Sequence, residues 1–413
     1  MGQKTEKKAA AATTMNGVTD ALRRKAIAKN WPIVVIERAL EGGVKEELLH
    51  QALDAGMTPL QAREMMISGG EGRKIELNMA WSKVDTERGN RAEIGKKGLT
   101  IDAINVGSYA DVPDIWPDQT MRPRGAFVRP GAVSMGYTIY SKAEVWSDNL
   151  GALYEEAIQR RWRPATDIPW DTISSLPEDR ERAIGQICTE LCEYNYAVIL
   201  ALGKWVREVS YGFHEVKLFL STVLFDAGRH YEAFRKRALV NGSGLGVQAA
   251  GDRLLPIRDA MCYAEMATMV FLVNDSFVLS LYQLLAALAQ NDAEVALFTL
   301  AAQDKARHLA YGVDHTRFLI EHQPQRHDEI RRYLLKGEEY IAKDRVADTP
   351  MREALAIHLG GGVKQIGEGF RRLDDFHRRQ LQAYLGRVEA AGIENHRDVL
   401  WPELAADLQP AQA

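Results

Sequence analysis

Long helical patterns dominate the second half of this 413-residue chain and constrain its fold more than any other feature. Several of the predicted helices run for about 30 residues, far beyond the ~12 residues usual in globular proteins. Helices of this length pack side by side as antiparallel bundles. The sequence therefore predicts an all-α fold, with helices at 142–162, 178–209, 213–240, 254–289, 293–321, 326–347 and 351–391.

The rest of the chain divides by composition into four further segments. Residues 1–15 are predicted to be a disordered tail, and 16–99 a small helical unit of three short helices, one of which starts at Thr58-Pro59. Four prolines in 100–141 exclude a long helix and favour an irregular strap lying over the bundle. The bundle is expected at 142–391 and a C-terminal tail at 392–413.

Composition excludes several classes of function. Net charge is −4, without a basic patch that would bind nucleic acid or an anionic membrane. The three cysteines are too few for a disulfide scaffold, which favours a cytoplasmic protein. The longest apolar stretch, 261–289, is interrupted by polar residues such as Glu265 and Asp275, so we predict a buried helix rather than a membrane span.

One short motif occurs twice, as Asp226-Ala-Gly-Arg-His230 and as Asp304-Lys-Ala-Arg-His308. In each copy the aspartate, arginine and histidine lie on one face of a predicted long helix. A metal-binding histidine usually donates its second ring nitrogen to a carboxylate, so each histidine is expected to pair with Asp226 or Asp304, across the two repeats. Arg229 and Arg307 would hold these aspartates. The alternative is that both Asp–Arg pairs are structural ion pairs.

These motifs resemble the ferritin-like di-iron oxygenase superfamily, which includes ribonucleotide reductase small subunits, multicomponent monooxygenases and amine N-oxygenases. The resemblance covers roughly 145–390 and is closest to members with Asp-Glu-Ala-Arg-His in both halves. The stretches 153–162, 164–171 and 308–312 are also similar. The resemblance implies a ferritin-like four-helix bundle with extra C-terminal helices, and a pair of iron or manganese ions that activates dioxygen for a small-molecule substrate.

Carried over to this chain, the family's six metal-ligand positions fall on residues that only partly match. Glu193 would be the first carboxylate, with Glu190 as the alternative one turn earlier. The remaining positions are Ala227, His230, Asp275, Lys305 and His308. Glutamate is thus replaced by aspartate at 275, by alanine at 227 and by lysine at 305. A buried Asp275 needs a metal, Lys305 or a histidine as its partner.

Charge makes a standard di-iron centre improbable, because Glu193, Asp275 and Lys305 together carry about −1 against two divalent ions. Three interpretations remain. One iron or manganese ion could be held by Glu193, His230, Asp275 and His308. Alternatively Lys305 replaces the metal charge in a centre without metal, with Tyr196 as the nearest candidate for a redox tyrosine.

The third interpretation is a non-catalytic subunit that pairs with an intact di-iron homologue. The first two describe an oxygenase-type oxidoreductase, or a component of one, with a remodelled centre. All three are compatible with a homo- or hetero-oligomer of ferritin-like subunits. Lys305 as a nucleophile forming a Schiff base is a further alternative, with no other residue in its favour.

Overall fold

The computed structural model of this chain describes residues 18–67, 79–84, 89–249, 254–346 and 349–408. Within these ranges the chain is α-helical, and its only β-type pairings are isolated bridges. Contacts divide the chain into two compact units, Met1–Val84 and Asp85–Ala413. The predicted all-α class is therefore confirmed, whereas the tail predicted at 1–15 lies outside the described residues.

The first unit contains four short helices: α1 (Asp20–Ala28), α2 (Ile33–Glu41), α3 (Glu46–Asp54) and α4 (Pro59–Ile67). The sequence predicts three, because it does not reveal the break at Asn30, which has a φ of 57°. Pro32 then caps the start of α2. The predicted start of α4 is confirmed, since the Thr58 hydroxyl accepts a hydrogen bond from the Gln61 amide at 3.3 Å. A 3-10 turn, Met79–Lys83, follows.

Residues 100–141 contain only short 3-10 turns and lie against the bundle of the second unit. The Ser210 amide donates to the Ile139 carbonyl at 2.8 Å, and the buried Arg124 side chain forms an ion pair with buried Glu215. The Trp116 indole packs so closely on Gly212 that a Cβ there would overlap it. These contacts anchor the irregular segment to the start of the second long helix. The 3-10 turns up to the bundle are Asp102–Ile104, Gly107–Tyr109, Lys142–Glu144 and Trp170–Thr172.

Four long helices form the core of the second unit. They are α6 (Glu178–Glu208), α7 (His214–Val240), a composite helix from Tyr263 to Leu288, and α11 (Asp292–His322). The composite helix consists of α9 (Tyr263–Ala267), a π-helical segment (Thr268–Asn274) and α10 (Asp275–Leu288). α6 packs against α7, and α10 packs against α11. The apolar sides of all four meet in one hydrophobic core.

Helices outside the four-helix core differ in two places from the prediction. The helix predicted at 142–162 is shorter, α5 (Leu150–Gln159), because Asp314 accepts hydrogen bonds from Ser147, Asp148 and Asn149 and holds them in a turn. The helix predicted at 351–391 is split into α13 (Pro350–Gly360) and α14 (Ile366–Ala390). Gly361 and Gly362 have φ values of 87° and 141°, which only glycine adopts readily.

Two further segments complete the second unit. The single helix predicted at 254–289 is interrupted, because short helix α8 (Leu255–Arg258) is separate from the composite helix that begins at Tyr263. Helix α12 (His327–Val346) follows α11. The predicted tail at 392–413 is wrong for its described part, because 392–408 contains a 3-10 turn (His396–Val399) and α15 (Pro402–Asp407). Buried Glu338 holds this end by accepting hydrogen bonds from Tyr384, His396 and the Trp401 amide.

One helix in the described part of the chain, Tyr263–Leu288, is long and apolar enough to cross a membrane by length and composition. In this structure 78% of its most apolar window is buried inside the protein. The helix is therefore mostly buried, as predicted from the polar residues that interrupt it.

Candidate functional site at the centre of the bundle

The two Asp-x-x-Arg-His motifs meet at the centre of the bundle and pair with each other. His230 Nε2 of α7 lies 3.0 Å from Asp304 Oδ2 of α11, and His308 Nε2 lies 3.0 Å from Asp226 Oδ2. Each histidine thus contacts the aspartate of the other motif, as the sequence predicts. The pairing exists because the steps of three and four residues place all three polar side chains on one helix face.

Both arginines bridge both aspartates. Arg229 donates to Asp226 and, at 2.7 Å, to Asp304. Arg307 donates to Asp226 at 2.9 Å and to Asp304 at 2.7 Å. The four side chains are nearly inaccessible to solvent, so this cluster joins α7 to α11 through fully desolvated ion pairs.

Trp162, at the start of the loop after α5, closes the same cluster. Its indole Nε1 donates to Asp304 Oδ2 at 2.9 Å, and its ring lies 4.6 Å from the guanidinium carbon of Arg229. The Arg229 side chain in turn donates to the Trp162 carbonyl at 3.1 Å. Trp162 thus ties this loop to both Asp304 and Arg229.

Burial keeps both histidines neutral. Desolvation lowers the pKa of His230, and it lowers the pKa of His308 further, with the positive charge of Lys305 acting in the same direction. Because a carboxylate only accepts, Nε2 of each neutral ring carries the proton. Nδ1 of each ring is buried without a hydrogen-bond partner, so both lone pairs point into the core.

The two aspartates differ in their electrostatics. Burial would raise the pKa of Asp304, but its hydrogen bond to His230 and the nearby arginines outweigh burial and lower it. Burial raises the pKa of Asp226, and repulsion from Asp304 adds to this effect. Asp304 is therefore the more firmly ionised of the two.

Asp275 and Lys305 occupy the middle of the site. Lys305 Nζ lies 2.8 Å from Asp275 Oδ1, and neither side chain is accessible to solvent. The Tyr194 hydroxyl donates to the same Oδ1 at 2.6 Å. Asp275 Oδ2 lies 3.8 Å from His308 Nδ1. The sequence predicts that Asp275 meets a metal, Lys305 or a histidine, and Lys305 is the partner that the structure shows.

Two predicted site residues lie elsewhere. Glu193 is half-buried at the side of α6, where its carboxylate accepts a hydrogen bond from the Ala249 amide at 3.2 Å. Tyr196 is 55% exposed and packs its ring near Tyr231. Tyr194 reaches the centre instead, because one residue along a helix turns the side chain by about 100°. Glu190, the alternative ligand, accepts a hydrogen bond from Gln186.

The π-helical segment before Asp275 is a further part of the site that the sequence does not reveal. Its wider turn ends at Asn274, whose side chain donates to the Met269 carbonyl at 2.6 Å. Gly312 of α11 packs directly on Phe271 of this segment. Such segments often occur at functional sites because they shift the side chains that follow them.

The residues at the centre do not fit a pair of metal ions. The side chains that meet at the centre are Tyr194, His230, Asp275, Lys305 and His308, while Ala227 offers no ligand atom and the expected Glu193 lies elsewhere. The only carboxylate among them is already paired with an ammonium group. Within the described residues, no three His, Cys, Asp or Glu side chains are arranged to hold a metal. The predicted set of Glu193, His230, Asp275 and His308 is therefore not assembled.

The charges of the site balance without any added ion. With both histidines neutral, three carboxylates are matched by three cations, namely Asp226, Asp275 and Asp304 by Arg229, Lys305 and Arg307. A divalent ion added here would leave a buried positive charge without a counter-charge.

Comparisons with known proteins give a partial match. No protein-family model matches the chain. No characterised protein sequence matches it either. Similar solved structures include a glycine-to-leucine variant of an R2-like ligand-binding oxidase with an Fe/Fe cofactor, at 18% identity and a TM-score of 0.46. A glycine-to-phenylalanine variant of such an oxidase, with an Mn/Fe cofactor, has 16% sequence identity to this chain and a TM-score of 0.43.

Both similarities cover 59% of this chain and 94% of the other protein. Identities below 20% with TM-scores below 0.5 assign neither an activity nor a cofactor to this chain.

Proposed function

We propose that this chain is a metal-free component of a ferritin-like oxidoreductase, in which Lys305 supplies the positive charge that metal ions supply elsewhere in the superfamily. The observation that supports this proposal is the buried contact of 2.8 Å between Lys305 Nζ and Asp275 Oδ1. Both side chains are fully buried, so neither charge is stabilised by water.

The centre then has a structural role. Lys305 joins α11 to α10, Tyr194 joins α6 to the same carboxylate, and the Asp–Arg cluster joins α7 to α11. A bundle closed in this way presents a rigid outer surface, which would pair with a homologous subunit that contains metal. Under this proposal the protein is cytoplasmic and oligomeric, as the sequence predicts. The partner subunit carries out the dioxygen chemistry.

A binding titration with Mn²⁺ tests the proposal. Wild-type protein should bind none at this centre, because Lys305 repels the ion and Ala227 offers no ligand. Lys305→Glu removes the positive charge and adds a carboxylate beside Asp275, so it should gain an Mn²⁺-dependent rise in melting temperature. Lys364→Glu, the same charge reversal at an exposed lysine outside the centre, should gain none. Wild-type binding that equals the Lys305→Glu variant would contradict the proposal.

A second candidate function rests on Tyr194. A phenol can lose an electron only if its proton has an acceptor, and Asp275 Oδ1 accepts the Tyr194 hydrogen bond at 2.6 Å. Tyr194 would give one electron to an oxidising metal centre of the partner subunit and its proton to Asp275. The centre would then carry one net positive charge, on the Lys305 ammonium, because the electron leaves and the proton stays on Asp275.

Electron paramagnetic resonance separates the two functions. A tyrosyl radical formed by a chemical one-electron oxidant should disappear in Tyr194→Phe and persist in Tyr384→Phe. Tyr384 is the matched control because its buried hydroxyl also donates to a carboxylate, Glu338, at 2.7 Å. A spectrum unchanged by Tyr194→Phe would leave only the structural role.

A further inference from the structure

An open apolar groove lies within the first unit, between α2 and α4. α2 packs on α1 and α4 packs on α3, so the two helices stand apart and leave a cleft of about 730 Å³. This volume is within the range of ~300–1,000 Å³ that binding clefts usually have. Leu49 of α3 and Trp31 lie at its floor.

The walls of the groove are two apolar helix stripes. α2 contributes Val35 and Ala39, and α4 contributes Leu60 and Met66. The spacing of four residues places Val35 and Ala39 on one side of α2, and Ala62 and Met66, which also line the groove, have the same spacing on α4. Leu60 is 65% exposed, so the stripe on α4 has an uncovered apolar surface.

Each wall also carries one arginine, Arg38 on α2 and Arg63 on α4, and both are exposed. No acidic side chain is among the described residues that line the groove. A groove with an apolar floor and a positive charge on each side is complementary to a helix that is apolar on one face and acidic along both edges.

We propose that this groove binds an amphipathic helix of another protein, with leucine-like side chains in the cleft and acidic residues facing Arg38 and Arg63. The N-terminal segment of this chain does not fit, since residues 1–17 carry Lys4, Lys7 and Lys8 and only one acid. The buried apolar core of the unit is small, and a unit of this size gains stability when a partner covers its apolar surface.

Fluorescence anisotropy with two synthetic peptides tests this proposal on the full-length protein. Both peptides are 18-residue helices with leucines at positions i, i+4, i+7 and i+11; one has glutamates along both edges and the other has lysines. The glutamate peptide should bind the wild-type protein. Its affinity for the Arg38→Glu/Arg63→Glu variant should be about tenfold lower. That variant should instead prefer the lysine peptide.

Two controls keep the test falsifiable. Arg23→Glu/Arg24→Glu makes the same charge change on α1, away from the groove, and should bind the glutamate peptide like wild type. Leu60→Ala should weaken binding several-fold without unfolding the unit, because Leu60 is largely exposed. Equal binding of both peptides, no binding of either, or binding of anionic phospholipid vesicles in their place would overturn the proposal.

Discussion

Lys305 is a fully buried cation at the centre of the bundle. An ammonium group in the middle of an all-buried cluster is costly unless a carboxylate neutralises it at close range. Asp275 does so at 2.8 Å, and the Tyr194 hydroxyl stabilises the same oxygen. The pair is therefore neutral as a whole, and it lies beside the Asp–His–Arg cluster.

Removing Lys305 alone should strongly destabilise the bundle. Lys305→Met leaves Asp275 as a buried charge without a cation, which costs about 3–5 kcal/mol. The double variant Lys305→Met/Asp275→Asn should recover most of this loss, because the asparagine oxygen still accepts the Tyr194 hydrogen bond and no charge remains. Urea unfolding of wild type and both variants measures the difference. Equal unfolding midpoints for wild type and Lys305→Met would show that the ion pair contributes no stability.

The sequence correctly predicts which side chains of the two motifs pair with each other. It does not correctly predict which side chain of α6 reaches the centre of the bundle. Fixed helical steps place Asp226 beside His308 and Asp304 beside His230, so the duplicated motif was sufficient for that prediction. The register of α6 is different, because nearly every residue from 183 to 192 is buried and no polar stripe marks the inner face. Tyr194 was missed, and Tyr196 was wrongly chosen, for this reason.

Among the elements, the π-helical segment Thr268–Asn274 determines where Asp275 lies. A π turn needs one more residue than an α turn and is stabilised by tertiary contacts rather than by its own sequence. Here the contacts are Gly312 of α11 against Phe271, and Gly337 of α12 against Val273 and Met269. Sequence periodicity predicts the long helix but gives no signal for its wider turn.

Gly312→Ala should destabilise the bundle because an added Cβ would lie 2.7 Å from the Phe271 backbone. Overpacking of this kind costs about 1–3 kcal/mol. Gly386→Ala is the matched control, since a Cβ at this exposed position of α14 meets nothing within 4 Å. It should stabilise the protein by up to about 1 kcal/mol. Thermal unfolding compares the two, and a Gly312→Ala protein as stable as Gly386→Ala would refute the close contact.

The sequence predicts the end of a helix correctly where neighbouring residues determine it. It does not predict a helix end that depends on contacts with residues distant in sequence. Thr58 and Pro59 start α4 through a cap within one turn, which the sequence alone reveals. The late start of α5 depends on Asp314, more than 160 residues away in sequence. Long-range hydrogen bonds of this kind have no pattern that a sequence window can detect.

The molecule as a whole buries several neutral histidines, and this makes its stability depend on pH. Desolvation lowers the pKa of His230 and His308, and it lowers the pKa of His315 and His358 to about 4. In the unfolded chain each would titrate near 6.5. Between about pH 6.5 and 4 the unfolded chain therefore binds protons that the folded chain does not.

Stability should fall as the pH falls through this window, by about 1.4 kcal/mol per pH unit for each such histidine. His358→Leu should reduce this slope by the contribution of one histidine, about 1.4 kcal/mol per pH unit. At pH 8 histidines are neutral in both states, so a measurement there gives the effect of the substitution on packing alone. Urea unfolding at pH 8, 6.5, 5.5 and 4.5 gives the slopes. The prediction fails if stability is constant over this range or if His358→Leu has the wild-type slope.

The most direct test of a metal-free centre is the metal content of the purified protein after loading with iron, manganese or zinc. His230→Ala/His308→Ala provides the baseline, because it removes both free ring nitrogens that face the centre. We expect wild type to retain no more metal than this variant. About one metal ion per chain in wild type, lost in the double variant, would contradict the account and establish a mononuclear site.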